Sequence, residues 1–248
     1  MSLKKKFLVV LTALVSVVAI VAVSVMATVA YLTSSSAVSN VFTIGDVGIV
    51  FDEAAVDSNG EYITDATQRR DTNTYHLVPG KDYIKDPTLH VNATSVDSYV
   101  FVISRNDLAA AEETVGAKTM LQQAQDLGWR VFTPLTTANA PVTGRILVYC
   151  GGQHGTDEGN VKPNANVDAF SPAVPVLAGK SYKMFDYFQL KGDADVTLYS
   201  AAKITLSAYA IQVDGFGDIG SQGALDAAWD AIVKHFPIIT KGNQSSQA

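Results

Sequence analysis

Hydrophobic and polar residues alternate along most of the chain after residue 41, a pattern typical of β-strands with one buried face. Residues 42–44 and 47–51 alternate in opposite phases, with Gly45 and Asp46 at the break. This shift predicts either one strand with a bulge or two strands joined tightly. Further strands are predicted within residues 74–106, 129–135, 145–150, 180–192 and 201–216, so that turns separate seven or more strands.

Two segments have helical periodicity instead. The first is expected to be capped at Asn106 or Asp107 and to end at Gly128, with an apolar stripe formed by Ala117, Met120, Leu121, Ala124 and Leu127. The second covers residues 222–236, with Trp229 on its apolar face. Many strands with two helical insertions predict a mainly β fold, built as a β-sandwich.

The N-terminal sequence predicts an export signal. Lysines at positions 4–6 precede an uncharged run from Phe7 to Leu32, and the lysines place this end in the cytoplasm. Thr28 and Ala30 supply small residues three before and one before a cut, so cleavage is predicted between Ala30 and Tyr31. The run is also long enough to span a bilayer, and the alternative is therefore a permanent N-terminal anchor.

Charge and cysteine content exclude several functions. The full chain has a net charge of -6, and removal of residues 1–30 would leave 15 basic against 24 acidic residues, a net charge of -9. An acidic chain without a basic cluster is not expected to bind nucleic acid or anionic lipid, so contact with membrane is expected only before signal cleavage. Arg69 and Arg70 are expected in a solvated loop. The single Cys150 permits no internal disulfide and is predicted to be a buried apolar residue.

No catalytic motif is present in the sequence, which has no HExxH, no GxSxG, no phosphate-binding loop and no paired cysteines. We therefore predict that the protein is not an enzyme and binds no cofactor. His76 and His90 flank the turn at residues 79–80, and antiparallel pairing there would bring them together near Asp82 or Asp86 as a surface metal site. Two solvated strand histidines are the simpler interpretation.

Two other groups of residues have a functional and a plain interpretation. Asp57, Asn59 and Glu61 alternate as in a calcium loop, but the further acidic ligands are missing, so a plain turn is favoured. Four aromatic residues would suit either a carbohydrate-stacking surface or a strand core, and the core is favoured: Tyr182, Phe185, Tyr187 and Phe188.

Three stretches resemble a known family. They are "ATVAYLTSSSAVSNVFTIGDVGIVF" at residues 27–51, "HLVPGKDYIKDPTLHVNATSVDSYVFV" at 76–102 and "ITLSAYAIQVDGF" at 204–216. The first combines a small-residue cut site, a short polar segment and a Phe-x-x-Gly strand, and the second contains an L-x-PG-x-x-x-x-K turn. Together they resemble the TasA/camelysin family of exported Gram-positive biofilm-matrix proteins, which a SipW-type signal peptidase processes.

The resemblance implies a jelly-roll-like sandwich that is secreted to the cell surface or biofilm matrix of a Gram-positive-type bacterium. It also implies assembly into filaments by donation of an N-terminal strand, with Tyr31, Leu32, Ala37 and Val38 as the groove-filling side chains. The partners would be further copies of the chain, an accessory fibre protein and the signal peptidase. The expected organisation is a signal at residues 1–30, a donor segment at 31–41, a jelly roll at 42–240 and a polar tail at 241–248.

Physical chemistry supports such a scheme. A sandwich that lacks one strand exposes backbone donors and acceptors beside an apolar groove, and an extended segment of the next subunit satisfies both. The alternatives are a surface module that does not polymerise, either a fibre accessory or cap or a binding domain for a glycan or host protein, and a camelysin-like metalloprotease. The absence of a zinc-helix motif from the sequence makes proteolysis the weakest of these hypotheses.

Overall fold

The computed structural model describes residues 33–132, 144–154 and 173–236, together with Lys5. Apart from Lys5, the predicted signal at residues 1–30, with Thr28 and Ala30, lies outside the described residues, as do Tyr31, Leu32 and the predicted tail at 241–248.

Strands predominate in the described residues, which confirms the predicted mainly β fold. These residues form strands β1 (Thr33–Ile44), β2 (Ile49–Ala54), β3 (Arg69–Arg70), β4 (Thr72–His76), β5 (Asp82–Ile84), β6 (Thr88–Val91), β7 (Ser98–Asn106), β8 (Trp129–Phe132), β9 (Arg145–Tyr149), β10 (Ser181–Lys183), β11 (Tyr187–Gln189) and β12 (Lys203–Gln212). They also form α-helices α1 (Met120–Asp126) and α2 (Gln222–His235) and a 3-10 helix at Val196–Tyr199.

The strands of the described residues form one large sheet and two small ones. Within these residues the large sheet has six strands in the order β4-β1-β12-β7-β9-β8, a second sheet has four in the order β10-β6-β2-β3, and β11 pairs with β5. Strand β1 runs parallel to β12, and the other pairings among the described strands are antiparallel. Because β1 and β2 belong to different sheets, the phase shift at Gly45 and Asp46 marks two strands and not one strand with a bulge.

One face of the large sheet packs against the small sheets. Alternate residues of β7 and β12, such as Val102 and Leu206, belong to the same buried cluster as Phe51 of β2 and Leu89 of β6. Side chains from both layers therefore share one core, as in a two-layer β fold.

The opposite face of the large sheet is also buried, because helix α2 covers it. Trp229 of α2 is fully buried and its ring lies 5.3 Å from that of Phe101 in β7 and 6.4 Å from that of Tyr209 in β12. With both faces covered, β7 is buried at six consecutive positions from Ser98 to Ile103 instead of alternating. The helix is thus part of the core and not a surface addition.

Helix α1 begins later than predicted. Asn106 does not cap it: its side-chain oxygen accepts a hydrogen bond from Leu108 N in a turn directly after β7. The helix instead begins after Thr119, whose side chain and that of Gln122 form a reciprocal capping box. The expected end at Gly128 is confirmed, since this residue follows the C-cap with φ of +89°.

Cys150 is fully buried, as predicted. Burial raises the pKa of its thiol to about 12, so the thiolate that would react or form a disulfide is scarcely populated at neutral pH.

Replacement of Trp229 by alanine should destabilise the fold strongly, because it removes the central ring between α2 and the large sheet. We expect a loss of about 3–5 kcal/mol in the free energy of unfolding, measured by chemical denaturation. Leu198→Ala is the control: this side chain is 74% exposed, and its loss should change stability by no more than about 0.5 kcal/mol. Equal effects of the two substitutions would contradict the role given to α2.

Candidate functional site

Strand β1 is paired along both of its edges. Residues Thr33–Ala37 pair with β4 in antiparallel register, from Thr33 opposite His76 to Ala37 opposite Thr72. On the other edge, β1 pairs with β12 in parallel register from Ser35 opposite Lys203 to Ile44 opposite Ile211, with a register shift between Val38 and Val41. The backbone of the N-terminal segment is therefore hydrogen-bonded within its own chain.

This arrangement bears on the predicted donor segment at residues 31–41. Of its four nominated residues, Tyr31 and Leu32 lie outside the described residues, whereas the backbones of Ala37 and Val38 stand opposite those of Thr205 and Leu206 in β12. Strand β1 continues without a break across the expected boundary between residues 41 and 42. The unit that could move as one strand therefore includes all of β1.

The C-terminal part of β1 is held by side-chain packing. The ring of Phe42 stacks on that of Tyr209 at 4.7 Å with an interplanar angle of 8°, and lies 5.0 Å from that of Phe236, beyond the end of α2. Val41, its neighbour, is 37% exposed. By contrast, residues 33–40 have the sequence TSSSAVSN, which offers few large apolar groups. The backbone of that part of the strand is held by its pairing with β4 and β12.

The link from β1 to β2 is a tight turn of residues 45–48. Gly45 has φ of +85°, and a Cβ atom there would lie 2.4 Å from Oε1 of Gln212. Further along, Val96 N donates to the Asp46 carbonyl at 3.1 Å, and Asn92 N donates to the Gly48 carbonyl at 2.8 Å. The turn is thus hydrogen-bonded to the 92–96 loop, and Gly45 connects this turn to β1.

Strand β4 depends on β1 for its place in the large sheet, since β1 is the strand that separates it from β12. Its other contacts are with the body of the protein: the Tyr75 hydroxyl donates to the Ile84 carbonyl at 3.0 Å, and His76 N donates to the Ser58 carbonyl at 2.7 Å. Without β1, strands β4 and β12 would face each other across a gap one strand wide. That gap is the candidate functional site.

The structure separates the two histidines that were considered as metal ligands. His76 lies in β4 of the large sheet and His90 in β6 of the four-stranded sheet, and these strands do not pair, so the expected antiparallel pairing is wrong. His90 contacts Ser181 Oγ at 2.8 Å and Asp52 Oδ1 at 3.1 Å. Within residues 33–132, 144–154 and 173–236, no group of three or more His, Cys, Asp and Glu side chains is placed to hold a metal ion.

The remaining candidates have structural roles. The Asp57 carboxylate accepts hydrogen bonds from the backbone N–H groups of Asn59 at 2.8 Å and Glu61 at 3.1 Å, which is the plain turn favoured over a calcium loop. The four aromatic residues do not form an exposed stacking surface, because three are buried and the other is half-buried: Tyr182, Phe185 and Phe188, and Tyr187.

Arg69 was expected in a solvated loop, and this prediction is wrong. Its guanidinium group binds Asp52 at 2.8 Å and Asp86 at 2.7 Å. Arg69 is also the first residue of the short strand β3. The sequence signal that would have revealed this role is weak, since the two carboxylates lie 17 positions away on either side.

No protein-family model, curated protein or solved structure matches the chain. The resemblance to the TasA/camelysin family therefore stays a prediction based on the three stretches quoted above. Among the helices of the described residues, none combines the length and apolar character that crossing a bilayer requires.

Replacement of Phe42 by alanine should loosen β1 in its own chain. Loss of the stacked ring is expected to lower the free energy of unfolding by about 2 kcal/mol, measured by chemical denaturation. The matched control is Val41→Ala in the same strand, where the side chain is more exposed and the loss should stay below about 1 kcal/mol. A Phe42→Ala protein as stable as the control would show that the ring does not anchor β1.

Proposed function

We propose that the protein is a secreted structural subunit that assembles head to tail into extracellular filaments, each subunit lending β1 to the next. The observation that carries this proposal is the position of β1, which follows the predicted signal junction and fills the space between β4 and β12. The two packed layers of sheet support the jelly-roll-like sandwich that such an assembly would use, and the predicted export signal supports a location at the cell surface or in the matrix.

Exchange of β1 between subunits would preserve its contacts. The same residue pairs that join β1 to β4 and β12 within one chain can form between two chains, so the pairing energy is nearly unchanged. Opening at Gly45 is the main conformational change required, and a residue with φ of +85° there has a conformation that only glycine adopts freely. The exchange therefore needs few new interactions.

The exchange would also propagate. The donated strand and the gap that receives it are different surfaces of the subunit, so the contact is heterologous and leaves one strand and one gap free at the two ends. Such a contact forms an open filament unless the geometry closes it into a ring. Removal of residues 1–30 would free the N-terminal end of β1 from the membrane and permit the exchange.

The closed form, in which β1 pairs within its own chain, corresponds to a second candidate function. Because β1 already completes the sheet of its own chain, a subunit in this form has no vacant gap and would act as a monomeric surface module, or as a cap or accessory of a filament. A chain that stays closed would support this second candidate.

The two forms can be distinguished with a cysteine pair. Ser35 and Thr74 stand opposite each other in β1 and β4, and Thr74 is exposed, so we would replace both with cysteine in the chain that begins at Tyr31. If β1 is donated, oxidation should link neighbouring subunits and produce a ladder of covalent oligomers on gels without reductant. The native Cys150 should not interfere because it is buried.

Electron microscopy of the same samples shows whether filaments are present. Filaments whose cross-links remain within single chains would contradict strand donation, and isolated particles with the same cross-link would favour the monomeric module. The control is Ser35→Cys alone, which lacks a partner across the strand pair and should give no ladder.

A further inference from the structure

Three polar side chains are buried together beside the candidate site. Glu53 of β2, Asn73 of β4 and Lys85, which follows β5, are 0%, 1% and 1% exposed. A buried charge is costly unless it is paired, and a lysine ammonium is among the groups least often found fully buried. The free-energy cost of desolvating these groups indicates that the cluster has a specific role.

The Glu53 carboxylate lies between the other two groups. Its Oε2 contacts Nζ of Lys85, and its Oε1 accepts a hydrogen bond from Nδ2 of Asn73 at 2.9 Å. The other end of the Asn73 amide is also held, because Val56 N donates to Oδ1 at 3.0 Å. One carboxylate thus brings an amine and a carboxamide together at a site that is buried from solvent.

We propose that Lys85 and Asn73 join through an intramolecular isopeptide bond, formed within the folded chain with Glu53 as the proton-transferring group. The acyl donor is the Asn73 carboxamide and the nucleophile is the Lys85 amine. The proposal goes beyond the assembly function and does not depend on donation of β1.

The reaction balances without any further reagent. Glu53 takes a proton from the Lys85 ammonium group, and the neutral amine attacks Cγ of Asn73 to form the Nζ–Cγ bond. Glu53 then gives its proton to Nδ2, the Cγ–Nδ2 bond breaks, and ammonia leaves. The proton lost by Nζ returns to Glu53, so the products are one amide and one ammonia molecule.

Each group in the cluster favours this step. Burial lowers the pKa of the Lys85 amine, although the adjacent Glu53 carboxylate opposes the shift, and the neutral form is the nucleophile. The Val56 N–H group donates to the oxygen on which negative charge develops during attack. The fold holds the two reacting groups on the same carboxylate, which removes most of the entropic cost of bringing them together.

The product is also more compatible with the core than the reactants. A buried ion pair must repay the desolvation of two charges, whereas the product is an amide beside a neutral carboxylic acid. The bond would connect β4 directly to the segment after β5. Strand β4 would then keep its position whether or not β1 lies beside it.

Mass spectrometry of the purified chain beginning at Tyr31 tests the proposal. We expect the intact mass to be lower than the sequence mass by one ammonia. Trypsin should release residues 71–81 joined to residues 82–105, because an acylated Lys85 is not cleaved. A full sequence mass with free 82–85 and 86–105 peptides would overturn the proposal, as would loss of water with Glu53 as the linked residue.

Three substitutions sharpen the test. Glu53→Gln should give the full mass, because proton transfer is lost while the shape is kept. Asn73→Asp should lose water instead of ammonia, since the leaving group changes. Asn59→Asp is the matched control on an exposed turn: the Asn59-Gly60 pair can itself lose ammonia as a succinimide, and this variant should still contain the linked peptide.

The wild-type intact mass and peptide map decide the question even if the Glu53 or Asn73 variant does not fold. Loss of ammonia located at Asn59 instead of at Asn73 would count against the cross-link. The intact mass and the peptide map do not depend on filament formation. Failure of the assembly proposal and failure of the cross-link are therefore separate results.

Discussion

The architecture depends on one strand that is hydrogen-bonded on both edges. Strand β1 joins β4 to β12, and thereby extends the large sheet over a region that would otherwise be open. Backbone N–H and C=O groups at a sheet edge need partners, and the two edges on either side of β1 find them in this strand. Whether that strand comes from the same chain or from a neighbour is immaterial to the groups that it satisfies. Within one chain, the turn at residues 45–48 and the packing of Phe42 hold β1 in this place.

The sequence predicts local features well where one physical signal dominates. Alternation identifies most strands, and the apolar face around Trp229 identifies helix α2. The predicted start of α1 was wrong because the amide of Asn106 favours a turn as readily as a helix cap. The side chains of Thr119 and Gln122 form a better cap further along the chain. Propensity alone does not distinguish such competing ends.

Features that join distant parts of the chain are harder to predict. Nothing local indicates that β1 runs parallel to a strand near the other end of the chain, or that His76 and His90 belong to different sheets. The unbroken apolar run in β7 does contain a signal of burial on both faces. The cluster of Glu53, Asn73 and Lys85 has no such signal, because charged residues in a sequence ordinarily indicate exposure.

The orientation of β1 has a mechanical consequence. Its antiparallel hydrogen bonds to β4 are perpendicular to the strand axis and its parallel bonds to β12 are slanted to it, so a pull along that axis loads many of them together, whereas a pull at right angles would break them one after another. If subunits were joined by this strand, as proposed, tension between them would run along β1 from the turn at Gly45. Such a joint would resist tearing far more than its small apolar content indicates, and its strength would come from the direction of loading.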